Sequence, residues 1–189
     1  MINLPPYDQY KRKTTFDKVK DSLLKRKKMT MVELGMTRNE NLGDGHSTPL
    51  WAYIAIKTDS QLFSVDISIK SILVTKKLLQ KYGLYNIEHV HLVQQDARSF
   101  LKEFSERPID FLYLDAWSYE PEERGKTEKE ALLSFMRAEN FFQKDSLILI
   151  DDVLDPESYL GKGKLVIPYA INHGYKCLHA GYQFLFIKA

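Results

Sequence analysis

Acidic residues recur at regular places in this 189-residue sequence. Glu33 lies near the end of one apolar run, Asp66, Asp96 and Asp115 follow three more, and the pair Asp151-Asp152 follows a fifth. One aspartate after a strand is commonly just a helix cap. Acids at or near the ends of five successive runs ask for more than capping. Gathered on one rim they would repel one another, and ligand hydroxyls, amines or a metal cation would have to compensate them. Asp66 comes 21 residues after Gly45, where an acid can accept hydrogen bonds from both hydroxyls of a ribose, in NAD or in an adenosyl cofactor. Asp96 suits the exocyclic amine of an adenine, and equally the N-cap of a helix starting at Ala97. Asp115, Asp151 and Asp152 suit a hard cation such as Mg²⁺, and otherwise turn and cap chemistry.

These acids need a scaffold that turns strand ends toward a ligand. The first apolar run, Met29–Leu34, leads through Gly35 and a polar stretch to Gly45-His46-Ser47 and a helix reaching Lys57. Strand–loop–helix junctions of this kind hold nucleotide-like cofactors. Further strands are expected at Gln61–Val65, Val90–Gln94, Ile109–Leu114 and Ser146–Ile150, and helices at Ile69–Tyr82, Ala97–Phe104, Thr127–Phe142 and Leu165–Asn172. Tyr175–Ala180 and Gln183–Ile187 read as an antiparallel hairpin. The pattern predicts an α/β fold of Rossmann-like, doubly wound type: a mostly parallel seven-stranded sheet with a C-terminal antiparallel hairpin. Ligands bind such sheets beyond the carboxyl ends of the strands.

The composition, 44 % hydrophobic and 28 % charged, is that of one globular domain. No apolar run reaches the ~20 residues of a membrane span, and the N-terminus lacks the pattern of a signal peptide. Cys177 is the only cysteine, so a reducing, cytoplasmic setting is expected. The net charge of +2 hides an asymmetry: residues 1–28 hold nine Lys/Arg against three Asp, and the remainder 18 basic against 22 acidic residues. The sequence therefore divides into a basic N-terminal helical segment, 1–28, and a domain, 29–189. The segment reads either as an arm for nucleic acid or as a solvated amphipathic helix carrying Phe16, Val19, Leu23 and Leu24 inward.

From Met29 onward the sequence resembles the class I S-adenosylmethionine-dependent methyltransferases. "VELG" is similar to the first motif of that family, "FSVDIS" to the second, "VQQDARSF" to the third, "DFLYLDAW" to the fourth, and "HAGYQFLFIKA" to its final hairpin. The resemblance implies S-adenosylmethionine as cofactor, bound by Glu33, Gly35, Gly45, Ser47, Asp66, Ile67, Asp96, Ala97 and Asp115. In "GDGHS" the backbone amides and the Ser47 hydroxyl would take the methionine carboxylate at a helix N-terminus. Within the class the chain is most similar to the metal-dependent O-methyltransferases of the catechol and sugar types. "LDAW" and "LIDDV" then make Asp115, Asp151 and Asp152 the implied ligands of Mg²⁺ or another divalent cation, which would lower the pKa of an acceptor hydroxyl.

Two features depart from that family. About six extra residues separate Gly35 from Gly45. Ser118 stands where catechol-type enzymes carry a lysine three residues after the strand-four aspartate, leaving His46 as a candidate base by proximity, beside a structural role at its helix start. Trp117 and Tyr119 lie in a polar loop where they would stack on a ring or sugar substrate, or simply pack the loop. "GKGK", 161–164, reads as a loop and is no P-loop. The expected function is methyl transfer to a hydroxyl of a small molecule with metal assistance. The rivals are a metal-independent methyltransferase acting on nucleic acid or protein, a NAD-binding oxidoreductase, and a non-catalytic cofactor-binding module. A homo-oligomer is compatible with the sequence, and no membrane partner is expected.

Overall fold

The computed structural model describes residues 2–42, 45–105 and 108–189. Among the described residues there are nine strands and six α-helices, the helices and seven of the strands where the sequence predicts them: α1 (Lys13–Leu23), β1 (Thr30–Leu34), α2 (Ser47–Lys57), β2 (Gln61–Asp66), α3 (Ile69–Lys81), β3 (Val90–Gln94), α4 (Ala97–Glu103), β4 (Ile109–Leu114), α5 (Arg124–Ala138), β5 (Phe142–Ile150), β6 (Val153–Asp155), β7 (Leu160–Gly161), α6 (Gly163–Asn172), β8 (Tyr175–His179) and β9 (Phe184–Lys188). Seven strands form one sheet in the order β3-β2-β1-β4-β5-β9-β8. β1 runs parallel to β2 and β4, β4 parallel to β5, and β9 antiparallel to both β5 and β8. The expected Rossmann-like, doubly wound sheet with its C-terminal hairpin is therefore present. The strand order reverses between β1 and β4, so their carboxyl ends frame the ligand crevice.

Alternation along the strands explains the two helical layers. Val32, Leu34, Leu112, Leu114, Ile148 and Ile150 point to one face, against Phe100 and Leu101 of α4, Phe135 of α5 and Val166 and Ile167 of α6. Met31, Phe111, Tyr113, Leu147 and Leu149 point to the other, against Phe16 and Val19 of α1, Trp51 of α2 and Leu79 of α3. Here Trp51 lies edge-on to Phe111 at 4.8 Å and Phe16 to Trp51 at 5.2 Å. Thus α1 of the basic segment is packed into the same core as α2, with Phe16, Val19 and Leu23 fully buried. Among the described residues no helix is long and apolar enough to cross a membrane.

Three boundaries differ from the sequence reading by three residues or more. α5 starts at Arg124 and stops at Ala138, and a single 3₁₀ turn, Glu139–Phe141, precedes β5. β5 begins at Phe142, whose buried ring lies edge-on to Phe135 at 5.8 Å; that anchor holds the polar stretch Gln143-Lys144-Asp145 in the strand. β6 and β7 form a separate two-stranded ribbon absent from the sequence reading. The ribbon holds Gly161 with φ +115°, where a Cβ would lie 1.9 Å from the Asp152 carbonyl oxygen. No other residue fits that approach, and it brings Lys162 against the end of β5.

Candidate active site at the strand ends

A cavity of about 270 Å³ opens at the β1/β4 switch point. Of the residues singled out in the sequence it brings together Gly35, Asp66, Ile67, Asp96, Ala97, Asp115 and Trp117. Gly35 has φ +95°, and a Cβ there would lie 2.6 Å from the Asp115 carbonyl oxygen. The glycine thus allows the end of β1 to pass close beside the end of β4. Asp66 uses Oδ2 to accept from the Met36 N–H at 3.0 Å and Oδ1 to accept from the Ser68 N–H at 2.8 Å. These bonds fix its carboxylate without exhausting its lone pairs. Asp96 is the N-cap of α4: Oδ1 accepts from the Ser99 N–H at 3.0 Å and from its hydroxyl at 3.2 Å. The capping role is therefore real, and the residue lines the cavity as well. Ile67 is 72 % exposed, an apolar side chain held open at the cavity.

Other singled-out residues lie outside this lining. Glu33 is fully buried in β1 and accepts from the Ser64 hydroxyl. Burial raises its pKa to about 7, against the opposing hydrogen bonds of Ser47, Ser64 and Thr48. Gly45 and Ser47 stand at the start of α2; the Gly45 carbonyl accepts from the Asp8 N–H at 3.1 Å, and Ser47 is buried. His46 is the N-cap residue of α2, 1 % exposed with φ +50°, and does not line the cavity. Gly43 and Asp44 of "GDGHS" lie outside the described residues. The lining on this side comes from Gly35, Met36 and Arg38, and Gly45 and Ser47 are not in it. Arg38 reaches Ser118 across the mouth, Nη1 donating to Oγ at 3.3 Å. Trp117, with φ +67°, forms a cavity wall. Tyr119 is not in the lining; its hydroxyl donates to Glu128 Oε1 at 2.8 Å, which pins the loop to α5.

Asp115, Asp151 and Asp152 converge as the sequence suggests, with carboxylate oxygens within 4.8 Å of one another. Their compensation comes from within the chain. The Lys162 ammonium, 1 % exposed, donates to Asp115 Oδ1 at 2.6 Å and to the Asp115 carbonyl at 3.1 Å, and lies 2.8 Å from Asp152 Oδ2. The Arg12 guanidinium takes Asp151 in a fork, Nε at 3.0 and 3.1 Å and Nη2 at 2.8 Å, and reaches Asp8 and Asp152 at 3.3 and 3.4 Å. Gln183 Nε2 adds a bond to Asp151 Oδ1 at 2.9 Å, and the Tyr182 hydroxyl donates to Asp152 Oδ1.

The three carboxylates consequently differ. Burial works to raise Asp151, but Arg12 and Lys162 bring it down to about 2. Burial and the neighbouring Asp151 charge push Asp115 well above the usual carboxylate range, against the pull of Lys162. Burial lowers the Lys162 pKa less than Asp115, Asp152 and Asp151 raise it, so the ammonium stays charged. A divalent cation needs several free oxygens in its shell, and here an ammonium and a guanidinium lie against five of the six carboxylate oxygens. As arranged, the triad does not fit such an ion. Sequence reasoning missed both cations. Lys162 sat in a stretch that reads as a loop, and Arg12 in a segment that reads as a solvated helix; the only signal was the unmet charge of the acids.

No protein-family model and no curated relative matches the sequence. Solved structures do. An O-methyltransferase from Bacillus cereus in complex with S-adenosylhomocysteine superposes with a TM-score of 0.64 at 15 % identity, covering 98 % of this chain and 85 % of that one. An S-adenosylhomocysteine-bound methyltransferase from Podospora anserina gives 0.65 at 16 %, covering 93 % and 78 %. With this strand order, its reversed β9 and a cavity at the β1/β4 switch, the chain has the fold of the class I methyltransferases.

Proposed function

We propose that this protein is an S-adenosylmethionine-dependent methyltransferase acting on a hydroxyl of a small molecule. The observation that carries the reading is the cavity itself: the glycine crossing at Gly35, an acid at the end of β2 and a second after β3, all on one lining. The fold shared with S-adenosylhomocysteine-bound proteins supports it. Asp66 accepts from the cofactor's ribose hydroxyls, as its lone pairs allow. Asp96 accepts from the adenine amine, and Ile67 and Ala97 cover the ring faces. When bound, S-adenosylmethionine supplies an electrophilic methyl on a sulfonium.

Asp115 faces the cavity and is the carboxylate of the rim with a raised proton affinity. In its ionised form it is placed to take the proton of an acceptor hydroxyl, which is the work of a general base. Lys162 keeps it aimed, and Trp117 closes one side against water. A small acceptor is favoured over nucleic acid in that three of the nine cations of residues 1–28 are paired with acids of the chain: Arg12 with Asp151, and Lys13 and Lys20 with Asp17 at 2.6 and 2.7 Å.

The test is turnover against a panel of hydroxylated small molecules, followed as S-adenosylhomocysteine release. Asp115→Asn is expected to lower the rate about 10²- to 10⁴-fold, the worth of a general base, while S-adenosylhomocysteine still binds. An Asp115→Asn protein of undiminished activity would remove Asp115 from the chemistry.

A further inference from the structure

The sequence reading places a divalent cation among Asp115, Asp151 and Asp152, but the structure has the chain's own cations there. We propose that Lys162 is the resident cation of this site, standing where a divalent metal would bridge Asp115 and Asp152, so that the protein binds its cofactor and turns over without metal. The inference rests on the methyltransferase reading only for its last clause; the occupation of the acids by Lys162 stands on geometry.

The ammonium has three N–H groups and three acceptors: Asp115 Oδ1, the Asp115 carbonyl and Asp152 Oδ2. Its donors are used up. A metal would have to displace all three bonds and rehouse a charged group that has no exposed route, since Lys162 is 1 % exposed. Its backbone is held too. The Lys162 N–H donates to the Asp152 carbonyl at 3.2 Å, beside the Gly161 crossing that admits no side chain. The third acid is no freer. Both oxygens of Asp151 accept from Arg12, and Gln183 adds another bond. A dication would therefore enter next to two buried unit charges of its own sign, where repulsion is strong. Lys162 acts here as a positioning residue: it fixes Asp115 against the cavity and takes the place between Asp115 and Asp152.

The experiment follows Mn²⁺ uptake by loss of the free-ion electron paramagnetic resonance signal, on wild type, Lys162→Met and Lys162→Ala, with S-adenosylhomocysteine affinity measured on the same samples. Wild type is expected to retain no Mn²⁺ at millimolar concentration. Lys162→Met keeps the stem and removes the charge, and Lys162→Ala also opens space. Both are expected to bind Mn²⁺ at least about 100-fold more tightly than wild type, as removing one like charge from beside a dication implies. Adding Asp115→Asn to either is expected to abolish the gain. Stoichiometric Mn²⁺ binding by wild type, lost in Asp115→Asn, would overturn the proposal. So would folded Lys162 variants, recognised by retained S-adenosylhomocysteine binding, that gain no Mn²⁺. Should the variants not fold, wild type alone decides: S-adenosylhomocysteine affinity that EDTA abolishes and Mn²⁺ restores overturns the proposal, and affinity indifferent to both upholds it. Wild type that binds neither S-adenosylhomocysteine nor Mn²⁺ would sink the methyltransferase reading while leaving Lys162 as the cation of the acids.

Discussion

The two halves of the strand-end rim use the same residue type in opposite ways. On the β2 and β3 side, Asp66 and Asp96 accept only backbone amides and a serine hydroxyl, and they face the cavity. On the β4 and β5 side, Asp115, Asp151 and Asp152 are bound to Lys162 and Arg12, and Asp151 is fully buried. An aspartate at a strand end is therefore left open to a cavity or paired within the chain according to what the rest of the chain brings to it. The open half offers hydrogen bonds to a ligand. The closed half offers shape and, through Asp115 alone, one proton-accepting group.

Variants that exchange these roles test the contrast. The largest effect is expected on the closed side. Arg12→Ala leaves Asp151 buried without its partner, which costs about 3–5 kcal/mol. Thermal unfolding should show a melting temperature lower by roughly 10 °C for a chain of this size. If Arg12→Ala melts within a degree or two of wild type, the guanidinium is not compensating Asp151. On the open side, Asp66→Ala should act on affinity before stability. Losing charge-assisted bonds to two ribose hydroxyls costs about 2–4 kcal/mol, a fall of roughly 30- to 1000-fold in S-adenosylhomocysteine affinity. Equal affinity for variant and wild type by calorimetry would remove Asp66 from the cofactor site.

A smaller effect lies beneath the rim, at Glu33. Its folded pKa, about 7, is raised above the ordinary carboxylate value of 4.5 by burial. A carboxyl raised on folding contributes stability that is complete below the unfolded pKa and is lost as pH rises through the folded one. The window is thus roughly pH 4.5 to 7, and the full swing is about 3 kcal/mol. Glu33→Gln, which keeps the acceptor for Ser64, should therefore gain melting temperature relative to wild type between pH 5 and pH 8. A difference that stays flat over that range would contradict the buried, protonating Glu33.

Much of this was legible in the sequence. The alternation of apolar runs and helical stretches predicted the sheet, because strands covered on both faces must be apolar throughout. The carboxylates at the strand ends and Gly35 marked the crevice, because few other places tolerate that spacing of charge. What stayed hidden is non-local. Arg12 meets Asp151 across 139 positions of chain and Lys162 meets Asp115 across 47, and neither cation carries a local sign that it is buried. The excess of acids foretold that something must compensate them, but not that the chain would supply it. The ribbon that delivers Lys162 has a strand of only two residues, Leu160–Gly161, too short for any periodicity. His46 and Tyr119 lie close in sequence to the site residues, but neither lines the cavity.

The most direct test of the whole account is calorimetric titration of S-adenosylhomocysteine into the wild-type protein, once with Mg²⁺ and once with EDTA. Micromolar binding, about −8 kcal/mol, is expected, with the same affinity in both. Binding that needs Mg²⁺ would contradict the assignment of Lys162 as resident cation, and no binding in either buffer would contradict the methyltransferase reading itself.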